Sequence, residues 1–327
     1  MSKEWSAAPA PLRVALLGFG VVGGGVYDLL LADQKRFQVV GVACRDPERH
    51  IRNGAPHRLL TNDPAALPEH DILVEAIGGL SPAEEIIANA LRRGIDVVTA
   101  NKSLVSRRYE TLHAAAEAGG ARLRFSAAVG GGVPMLETVE EVAREGAIIR
   151  LDAVLNGTTN FVLDRIGAGL GLTYAIRLAQ EAGFAEADPT ADIDGVDAAE
   201  KLSLIVRRAF GVAVDPAEIP RDALGALSSA EIAAAHAAGR PYKQVATARR
   251  TAGGLELEVR LRRAPADTPL GRPKLEENCL VIEREFGAPV VLFGKGAGRE
   301  ATAGSVFADL DALAHMRLGA SLAESAA

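Results

Sequence analysis

The feature that most constrains the fold is a glycine turn, Gly18-Phe19-Gly20-Val21-Val22-Gly23, set between segments of different periodicity. Before it, residues 12–17 form a short apolar run that reads as a buried strand. After it, over residues 22–32, the apolar spacing becomes helical. In that setting each glycine has a physical task. The first permits the tight turn, the second lets a pyrophosphate approach the backbone, and the third lets helix and strand close together. Free amides at the helix start then face the anion. A turn without a ligand is the bland alternative, and the order strand, helix, second strand (residues 37–43) argues against it.

The same alternation continues. Strands are predicted over 71–77, 95–99 and 122–126, with Ser81 capping and Pro82 opening an intervening helix. The rhythm predicts an α/β chain, a doubly wound parallel sheet of Rossmann type. The pattern changes after Gly130-Gly131-Gly132-Val133-Pro134. Helical spacing over 135–144, 160–166, 173–182 and 197–209, with strand patterns over 148–155 and 255–263, predicts a second, α+β domain. A buried strand over 289–293, a glycine turn over 294–298 and a helix over 302–316 return to the earlier style. The expected division is therefore 1–135 plus 297–327 for the dinucleotide domain and 136–296 for the substrate and dimerisation domain.

A net charge of −6 gives no electrostatic reason to expect nucleic acid as a partner. The two cysteines, Cys44 and Cys279, lack the spacing of a disulfide framework or zinc site, which suits a reducing cytoplasm. The first eleven residues carry no apolar core of a signal peptide, and no segment reads as a membrane span.

Near the end of the second strand the fingerprint position for ribose recognition holds Ala43, which cannot accept a hydrogen bond from a hydroxyl. Two neighbours remain. Arg45 would pair with a 2′-phosphate and favour NADP, while Asp46 would favour NAD; the reading leans to NADP. For chemistry, hydride transfer to a carbonyl needs a proton donor beside the developing alkoxide. Lys102 follows the strand 95–99, at the edge where open parallel sheets bind ligands. Lys201 lies four residues after Asp197 on a predicted helix, so both share a face. Each lysine has an ordinary surface reading. What favours function is the acidic segment 183–197 leading into that helix, a receptor for a cationic group.

With GFGVVG (18–23), DILVEAIGG (71–79), TANKSLVS (99–106), SAAVGGGVPMLET (126–138), LNGTTNFVL (155–163), GFAEADPTADIDGVDAAEKLSLI (183–205) and FGKGAGREATAGSVFADL (293–310), the chain resembles homoserine dehydrogenase over nearly its full length. The resemblance implies NAD(P)-dependent interconversion of L-homoserine and L-aspartate 4-semialdehyde, on the route to threonine, isoleucine and methionine. It makes Lys201 the proton donor and acceptor, with Asp197 holding the substrate hydroxyl and orienting that lysine. Glu186 would accept from the amino group, Asp192 would support the acidic pocket, and Gly157 and Thr158 would form the substrate-side loop. Lys102 would serve both nicotinamide and substrate. Ile77, Gly78 and Gly298 would join the glycine turn and Arg45 around the cofactor. A sodium-type cation would sit on the carbonyls of Ser126, Val129, Gly131 and Val133. A homodimer is expected. Many bacterial members continue into an ACT domain, and with the chain ending at Ala327 no threonine feedback through one is expected. The stretch 217–272 follows the family only loosely. Two rival readings are a dehydrogenase of another amino acid and a catalytically silent dinucleotide sensor; the presence of both Asp197 and Lys201 argues against the second.

Overall fold

The computed structural model describes residues 10–324, so most of the first eleven residues lie outside it. Among the described residues, 10–101, 110–125 and 306–324 form one compact unit, and 102–109 with 126–305 a second. This division differs from the expected one at three places, the first of them residues 297–305, which group with the second unit. The glycine turn after residue 125 and the segment 102–109 group with it as well.

The first unit is built on six parallel strands: β1 (Leu12–Leu17), β2 (Phe37–Ala43), β3 (Leu60–Thr61), β4 (Ile72–Glu75), β5 (Asp96–Thr99) and β6 (Leu123–Arg124). Their order is β3-β2-β1-β4-β5-β6, a doubly wound sheet whose direction reverses between β1 and β4. The central strands are apolar throughout because both faces are covered, with Val14, Ala15, Leu16, Ile72 and Val74 fully buried. The expected strand over 122–126 shrinks to the two residues of β6 at the sheet edge. The last helix, Arg299–Glu324, contributes residues from 306 onward to this unit. Phe307 meets Phe37 edge to face, Arg124 pairs with buried Asp309 at 2.8 Å, and Arg317 pairs with buried Asp96 at 2.8 Å. Each buried carboxylate therefore has a guanidinium, which is what its burial requires.

The expected Ser81 cap is corrected. The helix Ala83–Arg92 begins after Pro82, which sits at the cap position, and no side chain caps it. Glu84 and Glu85 in the first turn supply the negative charge that the helix start favours, and the Leu80 carbonyl accepts from the Glu84 amide.

The second unit carries an antiparallel sheet of β7 (Ile148–Val154), β8 (Tyr242–Thr251), β9 (Gly254–Arg263), β10 (Glu277–Arg284) and β11 (Val290–Lys295), in the order β11-β10-β7-β8-β9. Leu151, Ala153, Ala246, Ala248, Leu280 and Ile282 form the buried face. A helical cluster of Phe161, Val162, Ile166, Ala179, Ile232 and Tyr242 makes a further core. β11, expected as a buried strand, is instead half-exposed: it lies at the edge, with Val291 46% and Phe293 41% exposed on the face opposite Leu280 and Ile282.

Candidate active site

In the first unit the glycine turn has the shape its sequence requires. A Cβ on Gly23 would fall 2.2 Å from the Gly18 carbonyl oxygen, and one on Gly18 would fall 2.6 Å from that of Ala76. Around Gly20, by contrast, the space is open, and no side chain caps the helix Val21–Ala32 that starts beside it. Two glycines thus close the backbone while the third leaves the helix amides facing free volume. These residues fit a dinucleotide.

The loop after β4 is held from beneath. Glu75, with no exposed surface, accepts from the amides of Ile77 (2.8 Å) and Gly78 (2.9 Å) and from the Thr99 hydroxyl (2.5 Å). Asn101 donates from its side chain to the Gly79 carbonyl at 2.6 Å. Since the Ile77 and Gly78 amides are taken, the outward face of this loop is the Ile77 side chain, which is 38% exposed. At the end of β2, Asp46 caps the helix Pro47–Arg52 by accepting from the Arg49 amide, whereas Arg45 is exposed.

The second unit brings three of the expected residues into direct contact. The helix Val196–Phe210 starts at Gly195, whose left-handed φ of 75° suits glycine, and turns Asp197 and Lys201 inward. Lys201 Nζ donates to the Leu155 carbonyl (2.7 Å) and pairs with Asp197 Oδ2 (2.9 Å). Lys102 Nζ pairs with the other oxygen, Asp197 Oδ1, at 2.7 Å. Burial works to raise the Asp197 carboxyl, but the two ammonium groups outweigh it and hold the group well below the ordinary carboxylate range. For Lys102 burial opposes the charge, and Asp197, Glu200 and Asp192 more than compensate, so its pKa is raised. Lys102 is therefore a fixed cation.

Asn156, absent from the expected set, ties this cluster together. Its side-chain nitrogen donates to Asp197 Oδ2 (2.9 Å) and Asp192 Oδ1 (2.6 Å), while its oxygen accepts from the Thr159 amide and caps the helix Gly157–Gly167. Asp192 is raised by burial and by the neighbouring Asp197 charge, against the pull of Asn156 and Thr158. Glu200, also unanticipated, is a second buried carboxylate. It accepts from Ser103 (3.0 Å) and Arg107 (2.9 Å) and lies 3.6 Å from Lys102 Nζ. The asparagine ahead of a helix start was a readable capping signal; the burial of Glu200 had none.

The remaining residues fall around this centre unequally. A Cβ on Gly157 would come 3.0 Å from Glu276 Cα, so the helix start needs glycine. Thr158 donates to the Phe184 carbonyl at 2.6 Å, fastening the acidic segment. Glu186 sits exposed on that segment, its own carbonyl accepting from Gln180. The turn carrying Ser126, Val129, Gly131 and Val133 packs on the late glycine turn. A Cβ on Gly131 would fall 2.2 Å from the Gly296 carbonyl oxygen, and the Gly132 amide donates to Lys295. Gly298 closes that turn with φ of 108°. Among the described residues no cluster of three or more histidine, cysteine or acidic side chains could hold a metal. The Ser126 hydroxyl bonds to Glu137 Oε1, and Glu137 Oε2 is buried with no hydrogen-bond partner. An unmatched carboxylate oxygen beside this turn fits a cation held on carbonyls.

Comparison with known proteins gives one consistent answer. Family models described as homoserine dehydrogenase and as the homoserine dehydrogenase NAD-binding domain match residues 134–310 and 18–126. The homoserine dehydrogenase of Pseudomonas aeruginosa is 34% identical over 92% of this chain and 71% of its own length. That of Bacillus subtilis is 33% identical over 94% and 74%. Among solved structures, a homoserine dehydrogenase from Thiobacillus denitrificans superposes with a TM-score of 0.88 at 34% identity, covering 94% of this chain and 74% of that one. A hyperthermophilic archaeal homoserine dehydrogenase in complex with NADPH gives 0.77 at 25% identity, covering 92% and 96%.

Proposed function

The chain belongs to the homoserine dehydrogenase family, and on that premise we propose how its residues divide the work of the reaction. The activity is nicotinamide-dependent interconversion of L-homoserine and L-aspartate 4-semialdehyde, a step of amino-acid biosynthesis. The observation that carries the assignment of roles is the Lys201 ammonium, fixed between the Leu155 carbonyl and Asp197. A bound nicotinamide supplies or accepts the hydride. Lys201 gives a proton to the carbonyl oxygen as it becomes a hydroxyl and takes it back in the other direction. Asp197 orients that lysine, and Lys102 adds a second positive charge for the substrate carboxylate or the reacting oxygen. Glu186 and Asp192 receive the amino group, and Gly157 and Thr158 shape the loop beside it.

The helix start at Gly20–Gly23 holds the pyrophosphate, flanked by Ile77 and Gly78. NADP is the preferred form, because Asp46 is spent on a helix cap and Arg45 is free to meet a 2′-phosphate. Purified protein with L-homoserine should reduce nicotinamide, and faster with NADP than NAD. Arg45→Ala should raise KM for NADP by roughly tenfold or more and leave KM for NAD nearly unchanged. Equal effects on both would remove the phosphate role, and turnover of another amino acid but not homoserine would overturn the substrate.

The carbonyls of Ser126, Val129, Gly131 and Val133 hold a monovalent cation, with the Glu137 carboxylate as its nearby charge. No helix among the described residues is long and apolar enough to cross a membrane. Free thiols at Cys44 and Cys279 suit a cytoplasmic enzyme. Two copies pair through the face of the second sheet that carries Val291. Val291 and Phe293 are exposed there, and Glu283, Arg150, Arg249 and Glu256 follow one another across β10, β7, β8 and β9, so the patch offers charges of both signs to a second copy. Light scattering should give twice the chain mass of 34.1 kDa, and a monomer at micromolar concentration would remove this pairing.

A further inference from the structure

Away from the lysine–aspartate cluster, the second unit contains a cavity of about 470 Å³. Its charged lining is Lys243, Arg272, Lys274, His236, Asp164 and Glu277. The volume lies in the range of small-molecule sites. Lys243 is the unusual member. It is only 5% exposed, inside the strand β8, and its ammonium donates to the Pro273 carbonyl at 2.5 Å. Among the described residues no carboxylate comes within ion-pair distance of it.

The two carboxylates of the cavity have other partners. Asp164 stands 3.8 Å from Arg165 and 3.9 Å from His236, and Glu277 accepts from the Lys274 amide at 2.9 Å. Arg272 stacks over Phe293 with 5.3 Å to the ring centre, which keeps its guanidinium on the cavity wall. Three cationic side chains thus face two engaged carboxylates. Burial pushes the Lys243 ammonium down to about 8 despite Asp164 and Glu277. A buried cation without an anion is costly, and proteins meet that cost by pairing or by giving up the proton. Here an open volume lies beside the cation instead.

We propose that this cavity binds a small multivalent oxyanion, an organic phosphate or a dicarboxylate, as the counter-ion of Lys243. Arg272 and Lys274 supply the additional donors at its mouth. The site is separate from the homoserine chemistry and does not depend on the roles assigned there.

The test is calorimetric titration and thermal melting of the full chain with inorganic phosphate and with succinate, against sodium chloride at matched ionic strength. Lys243→Met keeps the side-chain length and removes the charge. Wild-type protein should bind one of the two probes and gain Tm with it. The variant should bind at least about tenfold more weakly and melt higher without any anion. Phosphate held by the Gly18–Gly23 turn is common to both proteins and cancels in the comparison. Wild-type affinity should also fall as pH rises through the titration of Lys243, since only the ammonium attracts the anion. Stronger binding of phosphate than succinate assigns an organic phosphate, and the reverse a dicarboxylate. Lys274→Ala, an exposed change, provides a second reading should the first variant not fold, and should weaken binding several-fold. Equal responses of wild type and variants to both probes overturn the proposal, as does a response that sodium chloride reproduces.

Discussion

Replacing Lys201 by alanine is expected to lower kcat by about 10²–10⁴-fold and to leave dinucleotide binding unchanged. An ammonium has three N–H donors. One is held by the Leu155 carbonyl and a second by Asp197, which aims the third and fixes where the group sits. Alanine removes the donor and leaves its holders in place, because Asp197 still pairs with Lys102 and still accepts from Asn156. The fold should therefore survive while the proton at the substrate oxygen has no source. The dinucleotide contacts belong to the first unit and should not notice. Steady-state kinetics on homoserine, with a separate fluorescence titration of NADP, measures both quantities. A small alkylamine in the buffer should restore part of the rate, since it supplies the missing acid to the space alanine leaves. A rise in the NADP Kd that keeps pace with the loss in kcat would make Lys201 a structural residue and end its acid–base assignment.

Much of this site was legible because its signals were local. The Asp197 to Lys201 spacing puts both groups on one helical face, and Gly195 and Gly211 bound that helix where left-handed backbone is needed. The strand 37–43 is found residue for residue, because its run of apolar residues is interrupted only by Gln38, which is exposed. Other features depend on the packed chain. Lys102 meets Asp197 from a distant segment, and no periodicity announces that contact. β8 was missed because its buried residues include Lys243, Gln244 and Thr247, which blur the alternation expected of a half-buried strand. Thr247 has a reason, since it donates to Asp152 across the pair β7–β8 at 2.7 Å. Ser81 looked like a helix cap from its neighbour alone; in the structure Glu84 and Glu85 supply the charge that a cap would have complemented.

Asp197→Asn should do more damage than its small change in volume suggests. The carboxylate stands between two ammonium groups, 2.7 Å from Lys102 and 2.9 Å from Lys201, and is almost fully buried. An amide leaves two cations facing each other with Glu200 and Asp192 as the remaining charges acting on Lys102. Removing one partner from a buried charge cluster typically costs about 3–5 kcal/mol. Hydrogen exchange over the helix Val196–Phe210 should register that loss locally. The pH dependence has a definite sign. Burial alone would raise Asp197, yet the lysines hold its folded-state value below the unfolded one, so its stabilisation is present above the ordinary carboxylate range. It is lost as pH falls through that range toward the depressed folded value. The variant should lack this component and show a flatter acid limb. Lys102, whose charge Asp197 now supports, should also deprotonate more readily. The alkaline limb of the pH–kcat profile should move down by about one unit or more, each unit corresponding to 1.36 kcal/mol of lost preference for the charged form. A lower rate with an unmoved profile would mean that Asp197 merely fills space. A moved profile with normal exchange protection would mean that it supports the Lys102 charge without holding the helix.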